Sequence, residues 1–285
     1  MPTTDASTVA GLLAESRDRL QRAGIDQAGL EARLLVGHQL ETTGAGLIAF
    51  GERPVTPRQA EAVRALVAAR VAGQPIAYLL GRREFWSLPL QVDAGCLIPR
   101  PETELLVERA LGHLPAGPAR ALDLGTGSGA IALALKSERP QLQAWASDVE
   151  AGALAVAAAN ACRLGLTVHW FRGRWLEAVA SRPLFDLIVS NPPYVAADDP
   201  HLTTGDLRFE PRRALVAADG GLADLRAIAA ASHSRLRPGG WLLLEHGAGQ
   251  GSAVRALLRE AGCREVSSHA DLAGLERVTE GRAGA

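Results

Sequence analysis

The run Ala121-Leu122-Asp123-Leu124-Gly125-Thr126-Gly127-Ser128-Gly129 passes from a strand-like segment into a helix-like one. A continuous apolar run closed by alternate glycines reads as a buried strand, then a tight turn, then a helix. The same alternation continues on both sides. Ala119 to Leu124 reads as a strand and Ala130 to Glu138 as a helix. Leu142 to Ser147 is a strand and Gly152 to Arg163 a helix. Phe185 to Ser190 is a strand, Leu222 to Leu236 a helix, and Trp241 to Glu245 a strand. Strands alternating with helices imply a parallel sheet covered on both faces, an α/β fold. The tail, Arg264 to Ser268 and Glu276 to Gly281, reads as a strand pair with a short link. A parallel crossover needs about a dozen residues, so one edge strand is expected to be antiparallel.

The first 73 residues carry a different pattern. Val9, Leu12, Leu13 and Leu20 share one helical face, and Leu30, Leu34, Leu35 and Leu40 form a second stripe. Thr56-Pro57 is a helix start, with Val63, Leu66, Val67 and Val71 as the buried face behind it. Gly24, Gly44, Gly46, Gly51 and Pro54 read as breaks between helices. Residues 1–73 are therefore expected to form a small helical bundle domain. Residues 74–98, with Phe85-Trp86, Leu88, Leu90 and Val92, are expected to form a hairpin linker turning near Ser87 to Pro89. Residues 99–285 are the expected α/β domain.

In open parallel sheets, ligands sit at the carboxyl ends of strands, where the glycine turn lies. The usual pyrophosphate spacing is Gly-x-Gly-x-x-Gly, whereas this chain has Gly-x-Gly-x-Gly, which favours a ligand without a pyrophosphate. Asp148, at the end of the next strand, suits ribose hydroxyls or a helix cap. Together the two features fit NAD or S-adenosylmethionine. Asn191-Pro192-Pro193-Tyr194, at the end of the Phe185 to Ser190 strand, decides between them. Two prolines fix the backbone, supply no N–H donor and leave carbonyls that accept. The asparagine side chain adds an acceptor, and tyrosine adds a flat wall. Such a device holds a planar –NH2 group. Acceptors on both N–H bonds stabilise the positive charge that grows on nitrogen as a methyl group arrives. The segment therefore points to methyl transfer onto an amide or amino nitrogen.

A formal net charge of -1 argues against a clamp on long nucleic acid, which needs a basic excess. Cys96, Cys162 and Cys263 match no zinc spacing, the histidines form no ligand pair, and no metal site is expected. Met1 to Arg17 lacks the pattern of a signal peptide, and no apolar run approaches the roughly 20 residues that span a bilayer. A cytoplasmic, monomeric protein without membrane or direct nucleic-acid partners is expected.

These motifs resemble the peptide chain release factor glutamine N5-methyltransferases. The likeness runs through Gly81 to Trp86, Leu97-Ile98-Pro99-Arg100-Pro101-Glu102-Thr103-Glu104, the glycine turn and Ser190 to Tyr194. It continues through Arg208-Phe209-Glu210-Pro211, Leu243 to Gly247 and Glu276 to Thr279. The resemblance implies a Rossmann-like class I S-adenosylmethionine-dependent methyltransferase domain behind the helical bundle and hairpin. It implies methyl transfer to the glutamine of Gly-Gly-Gln in class I release factors, with S-adenosylhomocysteine as product. It places the cofactor on Gly125, Thr126, Gly127, Ser128, Gly129, Asp148, Trp175 and Asn191. Asn191, Pro192, Pro193 and Tyr194 would hold the substrate glutamine, with Asn191, Pro192 and Tyr194 as the catalytic set. The family often has an acid before the tryptophan, whereas this chain has Arg174, so a neighbouring carbonyl must meet the adenine amino group or the contact is absent. A ribosomal-protein glutamine methyltransferase and a DNA adenine N6-methyltransferase share the Asn-Pro-Pro-Tyr device. Ile98 to Glu104 favours the release-factor type. A nucleotide-sensing binding protein would have no use for the Asn-Pro-Pro segment.

Overall fold

The computed structural model describes residues 8–284; Met1 to Ser7, where the segment without a signal pattern begins, and Ala285 lie outside them. The chain divides into two compact units, residues 1–81 with 204–209, and residues 82–203 with 210–285.

The helical unit contains α1 (Val9–Arg22), α2 (Ala28–Gln39), α3 (Gly44–Ala49), α4 (Pro57–Val71) and α5 (Ile76–Leu80). α4 starts as its sequence dictates: the Thr56 hydroxyl accepts from Gln59 N–H, the Gln59 side chain accepts from Thr56 N–H, and Pro57 opens the helix. Val9, Leu12, Leu20, Leu35, Val63 and Val67 pack in one core. Three expectations are corrected; the first is Val71, expected on the buried face of α4, which is exposed. Leu30 and Leu34 are exposed, and α2 instead buries Ala28, Ala32, Leu35 and Val36. Small alanines allow close helix approach, so the packed face is not the one with the largest side chains. Gly44 and Gly46 lie inside α3 rather than in a break; Thr43 caps it by accepting from Gly46 N–H.

The second unit opens with the antiparallel hairpin β1 (Arg82–Phe85) and β2 (Leu88–Gln91), which turns at Trp86-Ser87, both left-handed. There follow α6 (Thr103–His113), β3 (Arg120–Leu124), α7 (Ala130–Glu138), β4 (Gln143–Asp148), α8 (Ala151–Leu164) and β5 (His169–Arg172). Then come β6 (Phe185–Ser190), α9 (Arg212–Leu215), α10 (Ala223–Ser232), β7 (Leu236–Glu245), α11 (Gly251–Glu260), β8 (Cys263–Ala270) and β9 (Glu276–Ala283). The sheet order is β5-β4-β3-β6-β7-β9-β8. Its central strands alternate between two buried faces. Ala121, Leu187, Val189 and Leu243 pack with α6 and α7, while Leu122, Leu124, Ile188, Leu242 and Leu244 pack with α10 and α11. Burial on both sides explains why these strands read as unbroken apolar runs.

The antiparallel strand is not at the edge. β9 is antiparallel to β7 and to β8, so β8, on the edge, runs with the parallel strands. The short link between β8 and β9 demands an antiparallel pair, and α11 supplies the long crossover from β7 to β8. α6, β5 and α11 were not expected. The helix expected over Leu222 to Leu236 ends at Ser232, followed by a short 3₁₀ turn, and β7 begins at Leu236 rather than Trp241.

Candidate active site

Four strands end at one level. Leu124 pairs with Ser147 on one side and Ser190 on the other, and Ser190 pairs with Leu244. The next residues are Gly125, Asp148, Asn191 and Glu245. Residues remote in sequence thus form one row at the carboxyl edge.

A cleft of about 300 Å³ opens beside this row. Of the expected residues, Gly125, Gly127, Asp148, Trp175, Asn191 and Pro193 line it. Thr126, Ser128, Gly129, Pro192 and Tyr194 do not. Thr126 and Ser128 are buried. The Thr126 hydroxyl donates to Asp123 Oδ2 at 2.6 Å, and its N–H donates to Ser147 O. Asp123 also accepts from Ala132 N–H, so it ties the turn to α7. Burial raises the Asp123 carboxyl to about 7.

Gly125 has φ +69°, and a Cβ there would come within 3.1 Å of the Trp175 ring. Only glycine meets both demands. Asp148 Oδ2 accepts from Gly127 N–H and Oδ1 from Glu150 N–H, each at 2.9 Å. Asp148 therefore stiffens the turn, and it makes no cap bond to α8, whose N-cap is Glu150. Trp175 lies across the turn and donates from Nε1 to Asp224 Oδ1 at 3.0 Å. Asp224, on α10, also pairs with Arg174 at 3.5 Å. An acid thus stands beside Trp175 after all, delivered from another element. Glu150 and Arg213, two further lining residues, pair at 3.2 Å.

Asn191 Nδ2 donates to Thr103 Oγ1 at 3.1 Å, leaving Oδ1 as the side chain's acceptor. Among the described residues no donor takes the Pro192 or Pro193 carbonyl. The Tyr194 carbonyl accepts from Gln250 Nε2, and its hydroxyl donates to Glu245 Oε1 at 3.3 Å. Burial raises the Tyr194 hydroxyl well above its usual range, so it stays protonated. Glu210 is buried; it accepts from Ile98 N–H and pairs with Arg100, bracing the segment that carries Thr103. Thr103, Glu150, Glu210, Asp224 and Glu245 were assigned no role from sequence. Thr103, Glu210 and Glu245 lie inside the quoted motifs; Glu150 and Asp224 carry no such signal.

This fold and this row of strand-end residues define a methyltransferase of the Rossmann-like class I type. Residues 101–223 match the family model described as the methyltransferase small domain, and residues 11–81 the one described as the PrmC N-terminal domain. A solved methyltransferase from Pyrococcus furiosus shares the fold, with a TM-score of 0.55 at 17% identity over 81% of this chain and all of that one. The chain belongs to the release factor glutamine methyltransferase family. It is 50% identical to the release factor glutamine methyltransferase of Xylella fastidiosa over 95% of this chain and 96% of that one. With that of Bordetella pertussis it shares 51% identity over 93% and 98% of the two chains. No helix among the described residues is long and apolar enough to cross a membrane.

Proposed function

We propose that this protein transfers a methyl group from S-adenosylmethionine to the side-chain amide nitrogen of the glutamine in the Gly-Gly-Gln segment of class I peptide chain release factors. The observation that carries the reading is the Asn191 amide, anchored by Thr103 through its donor end, beside the unpartnered Pro192 carbonyl.

The cleft fits the cofactor. Its charged lining residues are Asp148, Glu150 and Asp224 against Arg174 and Arg213. Both arginines are paired with these acids, which leaves little attraction for a pyrophosphate and suits a cationic sulfonium. Asp148 and Glu150 would meet the ribose hydroxyls, and the Trp175 ring would flank the base. S-adenosylmethionine, when bound, supplies an electrophilic methyl group. Asn191 Oδ1 and the Pro192 carbonyl would accept the two amide N–H bonds of the glutamine, raising electron density on a nitrogen otherwise conjugated with its carbonyl. Tyr194, outside the cleft lining, would wall the substrate glutamine. Holding the nitrogen in line with the methyl supplies much of the remaining rate. The domain boundaries proposed here, 1–73, 74–98 and 99–285, assign substrate reading to the helical part, which exposes Leu30, Leu34, Ile48 and Phe50.

The test is incubation with S-adenosylmethionine and release factor, ribosomal protein or duplex DNA, followed by mass spectrometry. One methyl group on the Gly-Gly-Gln glutamine, and none on the other two, is the expected result. An unmodified glutamine would overturn the assignment.

A further inference from the structure

Helices fill all but one of the crossovers from β3 to β8. α7 links β3 to β4, α8 links β4 to β5, α9 and α10 link β6 to β7, and α11 links β7 to β8. Residues 173–184, between β5 and β6, form turns and no helix. Parallel sheets normally carry helices over both faces. On the face that holds Leu122 and Leu124, Trp145 of β4 and Phe171 of β5 instead share a cluster with Leu176, Val179 and Leu184 of this irregular segment. The cover leaves a cavity of about 460 Å³. Trp145, Phe171, Phe185 and Val179 are among its walls, and the Trp145 ring is steadied by stacking on His169. No residue of its lining belongs to the cleft beside Asn191.

The charge around the cavity has one sign. Arg120, Arg172 and Arg182 line it, and no carboxylate does. Arg120 donates from Nε to Gln143 Oε1 at 2.8 Å, and Arg172 donates from Nε to Val149 O at 2.9 Å. Among the described residues none of the three arginines pairs with an acid. The acid next to Phe185, Asp186, is occupied: it accepts from Arg120 N–H and pairs with Arg237 at 2.8 Å. The cleft beside Asn191 is the opposite case, since Arg174 and Arg213 there are each paired with an acid.

We propose that this cavity is a second binding site, for a small flat aromatic molecule that carries an anionic group. The volume lies within the roughly 300–1,000 Å³ of small-molecule sites. Three aromatic rings in one lining, in a chain with only 4% aromatic residues, favour a flat apolar body that stacks on them or meets their edges. Guanidinium groups without acids favour an oxyanion, which they grip through paired N–H donors. A neutral apolar ligand would leave those charges without a partner, and an inorganic anion would leave the aromatic walls uncovered. The site is independent of the methyl-transfer reading.

The test uses the full chain and the dye 8-anilinonaphthalene-1-sulfonate, read by fluorescence in saturating S-adenosylmethionine. One dye should bind per chain. The double variant Arg120→Gln/Arg182→Gln should weaken binding about tenfold, the scale of losing charge-assisted hydrogen bonds. N-phenyl-1-naphthylamine, the same body without the sulfonate, should bind more weakly, and the double variant should not change its affinity. Val179→Trp, which fills the cavity from its wall, should abolish binding of both dyes while S-adenosylmethionine affinity by calorimetry stays at the wild-type value. The arginine variant serves if Val179→Trp does not fold. Displacement of the dye by S-adenosylmethionine would place it in the cofactor cleft and overturn the proposal. Equal affinity for the charged and neutral dyes, or wild-type binding in the arginine variant, would overturn it as well. Concentration-dependent dimerisation that the dye abolishes would give the cavity to a second copy of the chain, and the proposal would fall.

Discussion

Replacing Asn191 with alanine tests the chemistry most directly. The side chain spends its donor end on Thr103 at 3.1 Å, so its remaining polar atom, Oδ1, is what the cleft loses. That acceptor gains strength as charge develops on the substrate nitrogen. Removing one such preorganised group typically costs about 100- to 1,000-fold in turnover, roughly 2.7–4 kcal/mol. The competing cost to the fold is smaller. Asn191 is half-buried at a strand end, and its loss frees Thr103 without stranding a charge. About 1 kcal/mol of stability is a reasonable upper scale for such a site. On the side of the cleft proposed for the cofactor, Asp148, Gly127, Trp175 and Asp224 make no bond to Asn191. The expected pattern is a large fall in single-turnover methylation of release factor, with S-adenosylmethionine affinity by calorimetry little changed. Turnover close to wild type would refute the acceptor role. An equal fall in cofactor affinity would refute the division of the row into cofactor and substrate ends.

Asp148→Ala should weaken S-adenosylmethionine binding by about 1.5–3 kcal/mol for the charge-assisted ribose bonds. It also frees Gly127 N–H and Glu150 N–H, so unchanged calorimetric affinity would be hard to reconcile with either role. Stability should fall as pH rises from about 5 to 7, because burial raises Glu245 and Asp123 to about 7, from 4.5 and 3.8, and the folded chain holds protons that the unfolded chain releases. Glu245→Gln should flatten that slope in urea unfolding; an unaltered slope counts against a raised Glu245. Glu280 works oppositely: burial alone would raise it, but His113 and Arg109 hold it near 2, so its contribution is present above 4.5 and lost as pH falls through about 2. Ile48→Asp with Phe50→Asp should raise the KM for intact release factor and leave that for a short Gly-Gly-Gln peptide unchanged; equal effects on both would remove the recognition role of the helical unit.

The elements legible in the sequence are those whose local signals and burial agree. β6 and α7 are found with their limits, and β3 within a residue, because each is a long apolar run closed by a turn signal. β5 escaped because His169 and Arg172 are exposed at a sheet edge and give a four-residue strand a polar frame. α6 was hidden behind Pro99 and Pro101, although Leu106, Val107 and Ala110 form its buried face. α11 carries a helical signal in Val254, Leu257 and Leu258, which form its buried face. For the site, Gly125, Asp148 and Asn191 could be read because each follows an apolar strand. Asp224 could not, since its meeting with Trp175 depends on where α10 lands. Thr103 meets Asn191 across a large sequence separation, and no local pattern records such a pairing.

In the proposed reading, the row of strand ends lets one sheet serve two ligands at once. Its order is Asp148, Gly125, Asn191, Glu245, following β4-β3-β6-β7. Neighbouring strands lie about 4.8 Å apart, so adjacent positions are separated by roughly the span of a small functional group. In the proposed reading Asp148 holds the ribose, and Gly125, lacking a Cβ, gives the cofactor room one strand away. Asn191 then receives the substrate amide on the next strand, and Glu245, one strand further, holds the Tyr194 hydroxyl. The strand edge sets these separations, and the buried faces of Leu122, Ile188 and Leu242 hold the strands rigid. Direct transfer between two bound molecules depends on fixing their reacting atoms in line, a task suited to a packed sheet edge rather than to mobile loops. The chemistry needs no strong general base, because the methylated nitrogen is acidic and sheds its proton after transfer. The acids of the row are accordingly free to orient and to bind.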